Sequence, residues 1–126
     1  MKLRIKGNSL RLRVSPSELE QLLQSGRVEE TIYFGAEDDA RLTYALEHHP
    51  HAGPITVRYR PQEATVLVSS REARKWAQGN EVGLYGAAGS GHGPLELAIE
   101  KDFACLDKEG AENADTFPNP NEGVLC

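Results

Sequence analysis

The sequence predicts an α+β domain assembled from two copies of a ββαββ unit, and three observations carry that prediction. Short segments alternate apolar and polar residues, as half-buried strands do. Two segments open on a serine followed three residues later by glutamate, the pattern of a helix start. The whole order then recurs at a constant offset of 54, pairing Leu3 with Val57, Val14 with Val68, Ser15 with Ser69, Glu18 with Glu72 and Val28 with Val82, without a gap from Lys2 to Val28. Each unit has an apolar face that it cannot bury alone, so two units related by a pseudo-twofold axis would share one core. The expected architecture is a curved antiparallel sheet, or a partly closed barrel, with two short helices.

The elements follow in order. Leu3 and Ile5 alternate with cations, Gly7-Asn8-Ser9 supplies a turn, and Leu10, Leu12 and Val14 alternate with Arg11 and Arg13, which makes a hairpin. Ser15 stands at an N-cap with Pro16 at the first helical position and Glu18 completing a capping box. Leu19, Leu22 and Leu23 form the buried stripe of that helix and Gly26 ends it. A strand through Val28 to Phe34, an acidic turn at Glu37-Asp38-Asp39 and a strand through Leu42, Tyr44 and Leu46 close the first unit at His48.

After the His-Pro-His linker the pattern repeats. Ile55, Val57 and Tyr59 alternate with Arg58 and Arg60, Pro61-Gln62-Glu63 turns, and Ala64, Val66 and Val68 return. Ser69 caps a helix through Glu72, Ala73, Trp76 and Ala77. Val82, Leu84 and Tyr85 lead into a glycine-rich loop, Gly86 to Gly93, and a strand through Leu95, Leu97 and Ile99. Residues 1–106 thus read as one domain of two units, 1–48 and 54–106. Residues 107–126 read as a polar tail with Phe117, Val124 and Leu125 as its apolar anchors, because so little apolar surface cannot order a segment by itself.

A chain of 126 residues suits one core. No apolar run reaches the roughly 20 residues that cross a bilayer, and the N-terminus lacks the apolar stretch of a signal peptide, so a cytoplasmic protein without membrane contact is expected. The two cysteines, Cys105 and Cys126, make neither a disulfide framework nor a zinc spacing. The net charge of -5 argues against nucleic acid as a partner, since that affinity comes from basic domains. That average hides opposite ends: residues 1–13 hold Lys2, Arg4, Lys6, Arg11 and Arg13 and no acid, whereas residues 96–126 are strongly acidic.

Four groups of residues have chemical potential. Alternation puts Lys2, Arg4, Lys6, Arg11 and Arg13 on one face of the first hairpin and Arg58 and Arg60 on the matching face of the second, where converging cations can hold an anionic small molecule. The dull alternative is a solvated face, or one paired with the acidic C-terminal third. His48, His49 and His51 beside Glu47 are candidate metal ligands, with His92 or Cys105 to complete the set, although adjacent histidines in a linker seldom point at one centre. The Gly86–Gly93 loop has the glycine content of a phosphate cradle but lacks the Gly-Lys-Ser/Thr ending, and Pro94 and a strand follow where a helix belongs. Lys101, Asp102 and Cys105 put a base, an acid and a thiol close together, where a structural cysteine is the plainer reading.

The opening Lys2-Leu3-Arg4-Ile5-Lys6-Gly7-Asn8-Ser9, the segment Lys101-Asp102-Phe103-Ala104-Cys105-Leu106 and the late Asn119-Pro120 resemble a family of small uncharacterised bacterial proteins over nearly the whole chain. The resemblance implies a bacterial, cytoplasmic protein and supplies no catalytic residue, cofactor or activity. The leading expectation is a non-enzymatic binding or interaction protein, of which a homodimer is one form. The first alternative is a phosphate- or nucleotide-binding phosphohydrolase of the triphosphate-tunnel kind, in which a cation-lined barrel holds polyphosphate and Glu96 and Glu100 supply carboxylates for a metal. The opening Glu-x-Glu-x-Lys of such enzymes is missing. The second alternative is a metal-binding protein built on the histidine cluster.

Overall fold

A computed structural model describes residues 1–89, 91–104 and 115–118. Eight strands and two helices run in the order β1 (Lys2–Ile5), β2 (Ser9–Val14), α1 (Pro16–Ser25), β3 (Arg27–Tyr33), β4 (Arg41–His49), β5 (Thr56–Arg60), β6 (Glu63–Ser69), α2 (Ser70–Gln78), β7 (Gly83–Ala88) and β8 (Leu95–Lys101). Both helices begin as their sequences require. Ser15 accepts from the Glu18 N–H while its own N–H donates to Glu18 Oε1 at 3.0 Å, and Ser69 Oγ accepts from the Glu72 N–H at 3.1 Å. Gly26 ends α1 at φ 86°, a left-handed conformation that a side chain resists.

The strands form two four-stranded sheets, β1-β2-β8-β7 and β3-β4-β6-β5, and neither closes into a barrel. This corrects the expectation of one curved antiparallel sheet or partly closed barrel. Each sheet takes one hairpin from each half of the chain and joins them through a parallel central pair, β2 with β8 and β4 with β6. Turn residues specify a hairpin locally, but the second neighbour of its inner strand is chosen by burial across the whole core. Exchanging each strand for its counterpart in the other half turns the order of the first sheet into that of the second.

The ladder registers give a residue-by-residue correspondence between the two sheets. Leu12 lies opposite Ile99 as Val66 lies opposite Leu46, and these partners face Leu84 and Val28 in turn. Val28 therefore holds in its ladder the place that Leu84 holds in the other, two residues beyond the Val82 that the constant offset pairs with it. The glycine-rich segment is corrected as well: Gly86, Ala87 and Ala88 pair with Leu97, Glu96 and Leu95 as strand, which shortens the connection. Backbone pairing across the ladder outweighed the weak strand propensity of small residues there.

Leu12, Val14, Val28, Leu46, Val66, Val68 and Ile99 from the inner faces of both sheets bury against Leu19 and Leu22 of α1 and Ala73 and Trp76 of α2. The Trp76 indole N–H donates to the Val82 carbonyl at 3.2 Å. Behind this core, Phe117 pairs with Phe103 as an isolated bridge and meets it ring edge to face, with centroids 5.8 Å apart. Asp115 accepts from the Ser17 hydroxyl at 2.5 Å, so the described part of the expected tail is docked on α1 and β8. The rest of that tail, with Val124 and Leu125, and both cysteines lie outside the described residues. No helix among the described residues is long and apolar enough to cross a membrane.

Candidate functional site

Alternation decides which side chains leave the core. Leu3, Leu10, Leu12 and Val14 face inward, so Lys2, Arg4, Arg11 and Arg13 stand on the outer face of the first sheet, with Lys6 in the turn between their strands. Lys2 lies opposite Arg13 and Arg4 opposite Arg11, an arrangement of like charges that weakens a hairpin unless acids relieve it. The acids arrive from the other end of the chain. Glu100 Oε1 is 3.1 Å from Arg11 Nε, and Asp102 Oδ2 is 2.8 Å from Lys2 Nζ. Among the described residues, Arg4, Lys6 and Arg13 have no ion pair within 4.0 Å.

Arg4, Lys6, Ser9 and Arg11 line a depression of about 160 Å³. A second one, of about 380 Å³, shares Ser9 and Arg11 and continues across the sheet over Ala98 to Ala87 and Tyr85. The Tyr85 ring is 60% exposed, and its hydroxyl donates to Glu100 Oε2 at 2.7 Å. Partial burial and this acceptor push the Tyr85 hydroxyl up to about 12, so it stays protonated and the bond persists across the neutral range.

Arg58 and Arg60 occupy the outer face of the second sheet, apart from the other five cations. There Arg27 reaches Glu47 at 2.9 Å and Glu63 at 3.2 Å, while Arg58 lies 3.5 Å from Glu47. Thr65, fully buried beneath them, donates to Glu63 at 3.0 Å. Burial works against the Glu47 carboxylate, but hydrogen bonds from His49 and Arg27 and the charge of Arg58 hold it below the usual range. The sequence reading missed Arg27, Glu63, Thr65 and Tyr85 as site residues, and it placed Glu47 only with the histidines. Their outward phase was legible, but their company depends on which strands lie side by side.

The three histidines do not converge. His48 reaches inward, where its Nε2 donates to the Leu22 carbonyl at 3.1 Å and its Nδ1 lies 2.7 Å from Ser70 Oγ. His49 is engaged with Glu47 on the outer face, and His51 is exposed in the following turn. Among the described residues, no group of three His, Cys, Asp or Glu side chains is placed to hold a metal ion. Lys101 and Asp102 are both buried: Lys101 Nζ donates to the Gly79 carbonyl at 2.9 Å and lies 5.6 Å from the Phe117 ring centroid. The tunnel reading meets open sheets with their cations on the outside, and so has no barrel to line.

The model of a family of unknown function (DUF7009) matches residues 1–121. No curated protein and no solved structure matches the chain.

Proposed function

Because the chain belongs to that family of unknown function, its own residues must carry the reading, and we propose a non-enzymatic binding protein whose ligand is a small phosphorylated anion. The observation that supports it is the convergence of Arg4, Lys6 and Arg11 with the Ser9 hydroxyl on one depression. Arginine offers a planar fork to phosphate oxygens, lysine a compact charge and serine a neutral donor, so an anion there would exchange water for several charge-assisted bonds. Arg11 spends only its Nε on Glu100, which leaves its terminal nitrogens for a ligand. Binding is favoured over catalysis because Glu100 is spent on Arg11 and Asp102 on Lys2, which leaves Glu96, opposite Ser9, as a single carboxylate on the larger depression.

The reading includes an internal duplication, supported by the exchangeable strand orders and paired helix caps. One copy would keep its outer face open for the ligand while the other closes its own with ion pairs. A bacterial, cytoplasmic setting and one domain spanning residues 1–106 belong to the same reading. Calorimetric titration of the full chain with pyrophosphate tests it. Binding that weakens as salt is added and disappears when Arg4→Ala and Arg11→Ala are combined is the expected result. Heatless titration at low salt, or full binding by the double variant, would end the proposal.

A further inference from the structure

The anion depression is one end of a longer trough. Beyond Ser9 and Arg11 its floor is Ala98 and its far side is Ala87 and Tyr85, all on the outer face of β7 and β8. One end is therefore cationic and hydroxylic, and the other offers small side chains beside an exposed aromatic ring, with the Glu96 carboxylate on the rim between Ser9 and Ala87. The larger depression, about 380 Å³, falls in the range of roughly 300–1,000 Å³ usual for small-molecule sites.

The ring is held in place. Tyr85 spans the ladder to Glu100 at 2.7 Å, and Glu100 also binds Arg11, so one carboxylate fixes both the aromatic and a cation. Gly83 makes this possible: a Cβ there would clash with the Ile99 carbonyl and lie 3.0 Å from the Tyr85 hydroxyl. The second sheet shows what the same scaffold does without these residues. Arg27, Glu29 and Thr65 stand where the first sheet has Gly83, Tyr85 and Arg11, and Arg27 fills the face by bridging Glu29, Glu47 and Glu63.

We infer that the phosphorylated ligand carries a flat ring, as a nucleotide does, with its phosphates between Arg4, Lys6 and Arg11 and its base stacked on Tyr85 over Ala98. This rests on the anion-binding reading above and adds the identity of the group attached to the phosphate. A pinned tyrosine face loses little freedom on binding, and every base presents a π-face to it.

The test compares ADP with pyrophosphate by calorimetry on the full chain at one ionic strength. The expected result is that ADP binds about tenfold more tightly, the scale of one base stacked on one aromatic ring. Tyr85→Ala should abolish the advantage of ADP over pyrophosphate, while Tyr85→Phe, which keeps the ring but loses its bond to Glu100, should keep most of it. If pyrophosphate binds but ADP binds no tighter, or if Tyr85→Ala retains the difference, the ring inference is overturned and the anion reading stands. If neither probe binds, both fall.

Discussion

His48 and Lys101 hold the same place in their respective sheets, and each sends a nitrogen to a carbonyl at the C-terminal end of a helix: His48 Nε2 to Leu22 at 3.1 Å, Lys101 Nζ to Gly79 at 2.9 Å. Their backbones agree as well, since the His48 N–H donates to the Gly26 carbonyl and the Lys101 N–H to the Val82 carbonyl. Late helix carbonyls carry negative partial charge and have lone pairs to spare, so a donor is favourable there even at Leu22, whose carbonyl also accepts from the Gly26 N–H. His48, one of the residues that looked like metal ligands, and Lys101, half of the acid-base pair, thus join helix ends to sheets.

Lys101→Met should therefore destabilise the fold although it removes a charge from a buried position. The methionine keeps the apolar stem but leaves the Gly79 carbonyl without its donor, at a cost of about 1–3 kcal/mol. The midpoint of urea unfolding would report it.

Trp76→Ala should be the most damaging single substitution in α2. Trp76 is 1% exposed at the junction of both sheets and both helices, and its indole also satisfies the Val82 carbonyl. A loss of about 3–5 kcal/mol, seen as a lower Tm, is expected for such a cavity.

Glu18 gives the fold an acid-sensitive element. Burial would raise its pKa, but the Met1 ammonium and the Ser15 cap hold it below the usual glutamate value of 4.5. A carboxylate whose folded pKa is lowered contributes fully above its unfolded value, and that contribution is lost as pH falls from about 4.5 through the folded value. Glu18→Gln keeps a hydrogen-bonding cap and removes the charge. It should cost about 0.5–1 kcal/mol at neutral pH and flatten the acid limb of a stability-versus-pH curve.

Glu47→Gln should matter more than Glu29→Gln on the same face. Glu47 is 14% exposed and engages Arg27, Arg58 and His49, whereas Glu29 is 54% exposed and meets Arg27 alone. Chemical denaturation should show about 1–3 kcal/mol for the first and within about 0.5 kcal/mol for the second.

Much of this molecule is legible along the chain because the signals are local. Ser15 with Glu18 and Ser69 with Glu72 mark helix starts three residues at a time, and the alternation of Leu10, Leu12 and Val14 with Arg11 and Arg13 assigns inner and outer faces. The glycine-rich segment misled, since Gly86 to Ala88 has a loop's composition but a neighbour, Leu95 to Leu97, that makes it a strand. The cations were found and the acidic C-terminal third was weighed as their partner, but the individual pairs, Arg11 with Glu100 and Lys2 with Asp102, join residues too distant along the chain to be assigned from it.

The sequence by itself determined the hairpins, the helix caps and the side of each strand on which every cation sits, all of which follow from contacts between residues a few positions apart. Only the tertiary structure decided that the hairpins of opposite halves join through parallel strands into two sheets. It also decided that Leu84 takes in its sheet the ladder place that Val28 takes in the other, and that Tyr85 comes to share Glu100 with Arg11. Those outcomes depend on how both apolar faces and both helices bury together, and no short stretch of sequence records that sum.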